Sequence, residues 1–145
     1  MGKRIYIFII IFFTFLGVFA QTTDSTEYID PSPLNFNIYE NTSLIKLIAN
    51  PEKYDGQMIQ VVGYLHLEFE GNALYFHQED YQNRIYENSF WVNFSDKLRK
   101  GKNIMNYNNH YVYIIGKFKM NHKGHMGLFG GTIDNIVRLN FKKSQ

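Results

Sequence analysis

The side chains best suited to chemistry are histidines, and they recur in two places along this 145-residue chain. His66 and His77 flank Gly71-Asn72, a pair that signals a two-residue hairpin turn. Counting outward from that turn sets Glu70 opposite Ala73, Phe69 opposite Leu74, Glu68 opposite Tyr75, Leu67 opposite Phe76 and His66 opposite His77. Strand alternation then puts Tyr64, His66, Glu68, Tyr75 and His77 on an outer face, with Leu65, Leu67, Phe69, Leu74 and Phe76 inward. Directly opposed strand residues have Cβ atoms about 4.5–5.5 Å apart. Two imidazoles that close can share a zinc ion, at about 2.0–2.1 Å each. The competing readings are a ligand-binding face and a solvated face on which His, Tyr and Glu simply fill exposed positions.

The second place is Asn121-His122-Lys123-Gly124-His125-Met126-Gly127, which runs on into Gly130-Gly131. His122 and His125 are three apart, a spacing that suits metal ligands, a binding loop or a glycine-rich turn. A structural zinc site normally takes four ligands, often with cysteine, and this chain has no Cys. The expectation is therefore no cofactor. Zinc on His66, His77, His122 and His125 is the lesser alternative.

Trp91 and Asn93 alternate with apolar Phe90, Val92 and Phe94, so they join the outer face. Tyr64, Tyr75, Trp91, Tyr111 and Tyr113 could stack on bases or sugar rings, although Tyr and Trp are also ordinary strand residues. Lys97, Arg99, Lys100 and Lys102 could meet phosphate, but read better as a solvated loop. Asn41-Thr42-Ser43 and Asn93-Phe94-Ser95 match glycosylation sequons by a pattern too short to carry weight. No nucleophile elbow, zinc-protease helix or phosphate loop is present.

These residues need a scaffold, and periodicity supplies one. Thr42 or Ser43 can cap a short helix whose Leu44, Ile45, Leu47 and Ile48 recur at helical spacing. Pro51 stops it near Asn50, and 51–56 turns into a first strand. From Met58 the period becomes two, and Ile59, Val61, Gly63 and Leu65 point inward. Gly63 inside so long a strand marks a bulge or bend. Ala73–Gln78 returns as the second strand. Residues 79–89 form a loop or short helix. Phe90–Phe94 is the third strand, 95–109 a short helix or exposed loop, Tyr111–Phe118 the fourth strand and Thr132–Phe141 the fifth. Val61-Val62-Gly63 is echoed by Ile114-Ile115-Gly116, a recurring strand-bend device.

The chain also carries an address. Lys3 and Arg4 precede an apolar run to Ala20, where Val18-Phe19-Ala20 forms an A-x-A-like cleavage site. Residues 1–20 read as a cleaved signal peptide, 21–37 as a flexible linker containing Pro31-Ser32-Pro33, and 38–142 as the folded domain. No later segment approaches the roughly 20 apolar residues a membrane helix needs. Losing Lys3 and Arg4 from 15 Lys+Arg leaves 13, against 13 Asp+Glu. A mature chain of zero formal charge lacks the basic excess of a non-specific nucleic-acid binder. Without cysteine it is neither a lipoprotein nor a disulfide scaffold. The expected location is periplasmic or extracellular.

Five short strands, mid-strand glycines and a helix at one end fit a mainly β, five-stranded OB-type barrel with a short N-terminal helix and a second short helix. Tyr54-Asp55-Gly56, Val61-Val62-Gly63, Ile114-Ile115-Gly116 and Gly131-Thr132-Ile133 resemble small exported bacterial OB-fold proteins, including the tRNA-anticodon-like OB group. The stretches Leu67–Tyr75 and Gly124–Gly127 are similar to an uncharacterised bacterial group within them. The resemblance covers about residues 43–141 and implies the fold; it assigns no catalytic residue. The expected function is a non-catalytic binding module for an envelope or extracellular protein, peptide or glycan, an oligonucleotide being weakly supported. The alternatives are a metal-dependent hydrolase built on the four histidines and a protein-interaction or inhibitor subunit.

Overall fold

The computed structural model describes residues 39–142. The signal and linker expectations, 1–20 and 21–37, lie outside the described residues.

Thr42 leads into a capped helix. The Ser43 hydroxyl accepts a hydrogen bond from the Lys46 N–H at 3.3 Å and opens α1, Leu44–Ala49. Leu44 and Leu47 are buried, while Ile45 and Ile48 stay 56% and 41% exposed. A six-residue helix meets the barrel along one narrow stripe, so half of the expected apolar face points away. Pro51 ends α1 and, as expected for a residue with no N–H to satisfy, also opens α2, Pro51–Tyr54. Tyr54 is buried.

The strands that follow are β2 (Met58–His66), β3 (Ala73–Tyr75), β4 (Ser89–Phe94), β5 (His110–Lys119) and β6 (Thr132–Phe141). A two-residue β1, Glu40–Asn41, too short to show a period, pairs in parallel with the start of β2. Two further helices are α3, Gln78–Gln82, and α4, Asp96–Gly101. β2 pairs with β3, β3 with β4, β4 with β6, β6 with β5, and β5 back with β2. That closes a five-stranded barrel, in which β4 and β6 run parallel and the other pairs antiparallel.

Alternation holds along most of it. Ile59, Val61, Leu65, Leu74, Phe90, Val92, Val112, Ile114, Phe118, Ile133, Ile136 and Leu139 fill the interior. Gly63 sits where β2 changes partner from β1 to β3. A Cβ there would lie 2.7 Å from Leu74 Cγ and the Tyr75 carbonyl and 2.9 Å from Leu44 Cδ1. Only glycine lets β3 and α1 close over that point. The echo at Gly116 marks a register shift between β5 and β6.

The hairpin departs from the sequence reading. Leu65 faces Leu74 and His66 faces Ala73, so the register is displaced by four residues from the expected one. An even displacement leaves every side chain on its expected face, but β2 ends at His66 and 67–72 is a six-residue loop. Phe69, expected in the core, is 92% exposed. Phe76 lies beyond β3 and is only partly buried against the core.

The cause is a distant competitor. The Asn108 side chain accepts from Leu67 N–H at 2.8 Å and donates to Leu67 O at 3.2 Å. The Asn109 N–H donates to Leu65 O at 2.9 Å. Asn108 thus takes the place of a strand partner for Leu67, whose backbone groups must be satisfied somewhere.

α4 is capped by Ser95, which accepts from the Leu98 N–H, and buries Leu98. Lys97, Arg99 and Lys100 are exposed. Lys102 instead donates to the Leu139 carbonyl at 2.8 Å and Asn140 Oδ1 at 3.0 Å, tying this segment to β6.

Candidate functional site

The outer face of β2–β3–β4 does not stand open. Tyr64 and Tyr75, expected as exposed platforms, are 4% and 1% exposed. With Ala73 and Phe129 they form a second apolar cluster, against which Tyr81, Tyr86 and Trp91 pack. Tyr81 comes from α3. His77 stands at the head of that helix, where the Asp80 carboxylate accepts the His77 N–H at 2.8 Å. Asp80 also accepts from Asn88 Nδ2 at 2.9 Å. Burial raises the Tyr64 phenol's pKa above its ordinary value, aided by Tyr81 and Tyr111. It raises that of Tyr75 further, aided by Tyr86, Glu68 and Tyr81.

His66 lies in the same layer, stacked on the Tyr81 ring with centroids 3.8 Å apart. Its Nδ1 meets Asn109 Oδ1 at 2.7 Å, and its Nε2 faces Glu68 Oε2 at 3.5 Å. It does not pair with His77, because the register shift sets Ala73 opposite His66 and leaves His77 at the head of α3.

Trp91 and Asn93 do lie together. The indole N–H donates to Asn93 Oδ1 at 2.9 Å, and Asn93 Nδ2 donates to Asp134 Oδ1 at 3.2 Å. The Lys119 ammonium meets Asp134 Oδ2 at 2.5 Å. That hydrogen bond, with help from Asn93, holds the Asp134 carboxyl below the usual carboxylate range against the opposing effect of burial.

The β5–β6 loop, 120–131, folds over this face. Phe129 is 4% exposed and meets Trp91 edge-on at 5.3 Å and Tyr86 at 5.7 Å. The Thr132 hydroxyl donates its proton to the His122 carbonyl, so its oxygen is left to accept from His122 Nδ1, 3.1 Å away. Gly124, at φ 63° and ψ −156°, occupies a region essentially reserved for glycine. A Cβ on it would lie 2.7–2.8 Å from Trp91 Cβ, Cγ and Cδ2. Bare backbone therefore covers the indole. His125 Nε2 reaches Glu70 Oε2 at 3.9 Å, joining the two loops.

Two side chains project beyond that junction: Phe69, 92% exposed, and Met126, 80% exposed, with Leu128 at 45%. Glu70 and Met126 both have positive φ, 59° and 55°. Phe69, Glu70 and Tyr81 are not singled out by the sequence pattern, whereas Gly124 and Met126 fall in the 121–131 stretch that it marks. Glu68-Phe69-Glu70-Gly71-Asn72 sets one aromatic between two acids beside a turn pair, which signals a loop tip as well as a strand end.

The four histidines keep four separate sets of partners: Asn109, Glu68 and Tyr81 for His66, the head of α3 for His77, Thr132 for His122 and Glu70 for His125. Among the described residues no three His, Cys, Asp or Glu side chains gather around a common point. None of these histidines is assigned as a metal ligand. Comparison with family models, curated proteins and solved structures finds no match to this chain, so its chemistry is read from the geometry of the Trp91 face and its two loops.

Proposed function

We propose that this chain is an exported, non-catalytic binding module of OB type that engages a protein partner through the rim made by loops 67–72 and 120–131. The strand order supports the OB reading. Taking β2 to β6 as first to fifth, the barrel runs first, second, third, fifth, fourth and back to first, with a short helix between third and fourth. Barrels of that type grip ligands with the second and third strands and the loops after the first and fourth. Those loops are 67–72 and 120–131 here.

One observation carries the choice of partner. The two loops touch at Glu70–His125 and hold Phe69 and Met126 out at 92% and 80% exposure. Aromatic and Met side chains are enriched at protein interfaces. Of the five aromatics a single-stranded nucleic acid could stack on, Tyr64 and Tyr75 are packed beneath Tyr81 and Phe129, while Tyr111 stays 40% exposed. Lys102, one of the four basic candidates for phosphate, is spent on β6.

The test uses residues 21–145 and a variant carrying Phe69→Ser and Met126→Ser as paired baits in envelope extract. A protein retained by the first and lost by the second, with both baits folded by circular dichroism, supports the rim. Equal retention by both places recognition elsewhere. Tight binding of an oligonucleotide or glycan that the double variant keeps overturns the protein-partner reading.

A further inference from the structure

We infer that residues 123–128 form a lid over Trp91, latched by Glu70 and His125. Only the purpose of the lid rests on the protein-binding reading; its motion does not.

Both ends of the segment are anchored. His122 is tied to Thr132, which is buried and pairs with Trp91 across β4 and β6. Phe129 is wedged between Trp91 and Tyr86. Between these anchors the backbone bonds are local and long: Gly127 N–H to Gly124 O at 3.3 Å, Leu128 N–H to His125 O at 3.4 Å, and Phe129 N–H to Lys123 O at 3.3 Å. The span meets the barrel at Gly124 on the indole and at His125 on Glu70. Met126 and Leu128 project to solvent. Lifting the span breaks a glycine–indole contact, one exposed pair and the long Phe129 N–H to Lys123 O bond. It bares the indole beneath the loop that carries Met126 and Leu128.

The latch depends on charge. Histidine is the side chain type whose charge changes between about pH 5 and 8. The pair is an ion pair only while His125 is protonated. The other charged groups on the two loops are His122 and Lys123, beside His125 on the lid itself, and Glu68, which faces His66. On the strands beneath, Asp134 is matched by Lys119. Glu70 is the carboxylate within ion-pair distance of His125 among the described residues. Mild acid closes the lid and neutral to alkaline solution loosens it.

The chain holds a single tryptophan, so its fluorescence reports the covered residue alone. The experiment is acrylamide quenching of the full chain from pH 5.5 to 8, in wild type, Glu70→Gln, His125→Gln and His122→Gln. An exposed ion pair shifts such an equilibrium by about two- to fivefold. The wild-type quenching constant is expected to rise with pH. Glu70→Gln and His125→Gln should be high and flat, with unchanged circular dichroism, while His122→Gln keeps the pH response. A flat wild-type profile overturns the latch, and so does a response that survives in Glu70→Gln or His125→Gln. If quenching behaves as expected but Phe69→Ser with Met126→Ser retains every partner, the lid stands and the protein-binding reading fails.

Discussion

The Trp91 indole gives its one N–H to Asn93, Asn93 gives its amide to Asp134, and Asp134 takes the Lys119 ammonium. Each group has one job, so the ring's orientation is fixed from below while Gly124 covers it from above. Asp134→Asn tests the lower support. The folded carboxyl titrates below its ordinary value. Its stabilisation is therefore fully present above the unfolded value of about 3.9 and is lost as pH falls through the lower folded one. Wild type should melt above Asp134→Asn at pH 6. The gap should close below about pH 4; a gap unchanged into stronger acid would show that the charge contributes nothing. Gly124→Ala tests the cover. A methyl there combines a backbone conformation that Ala rarely adopts with a contact under 3.0 Å to the indole. A loss of about 1–3 kcal/mol is expected if the loop stays in place. If instead the loop lifts, stability holds and the Trp91 emission shifts to the red. An unchanged melting point with unchanged emission would contradict the packing.

At the scale of elements, what was legible in the residues was whatever depends on near neighbours. The alternation in Ser89–Phe94, the β-branched pairs around Gly116 and the Ser43 cap each declare themselves within a few positions. β4, β5 and the capped start of α1 accordingly follow the expected pattern. The β2–β3 connection does not, because it is decided by Asn108, 41 positions from Leu67. No local pattern announces that an asparagine will stand in for a strand. Once the hairpin opens, His66 and His77 part, Phe69 leaves the core and Glu70 becomes free to meet His125. The candidate site therefore moved from the strand face, which the period located, to the loops, which it did not. Asn108→Ala tests that dependence. It leaves the buried backbone of Leu67 without partners, an omission that costs about 1–3 kcal/mol. Amide exchange at Leu67 should accelerate, and the Phe69 ring should change its surroundings. If exchange at Leu67 stays as slow as in wild type, Asn108 is not what sets the loop.

Among the described residues there are two apolar layers, the barrel interior and the aromatic cluster outside β2–β3–β4. Without disulfides these layers must hold the fold, and the outer one is built from groups with a polar end. Tyr64 and Tyr75 are buried with phenols whose titration is raised by desolvation. Raised folded values mean that this contribution is complete below the unfolded value of about 10 and is lost as pH rises through the folded ones. In alkali the exposed phenols should ionise first. Tyr64 and Tyr75 should follow only as the outer layer comes apart. Phenolate absorbance recorded beside Trp91 fluorescence checks this, because the sole indole packs against Phe129 at the edge of that layer. The late part of the phenolate rise should coincide with release of Trp91 to solvent, while the barrel strands keep their far-ultraviolet signal longer. If every phenol titrates near pH 10, with emission and strand signal unchanged, the outer layer is open to water. The face beneath Tyr81 and Phe129 would then be available to ligands after all, and the aromatic-stacking reading would regain the ground that burial took from it.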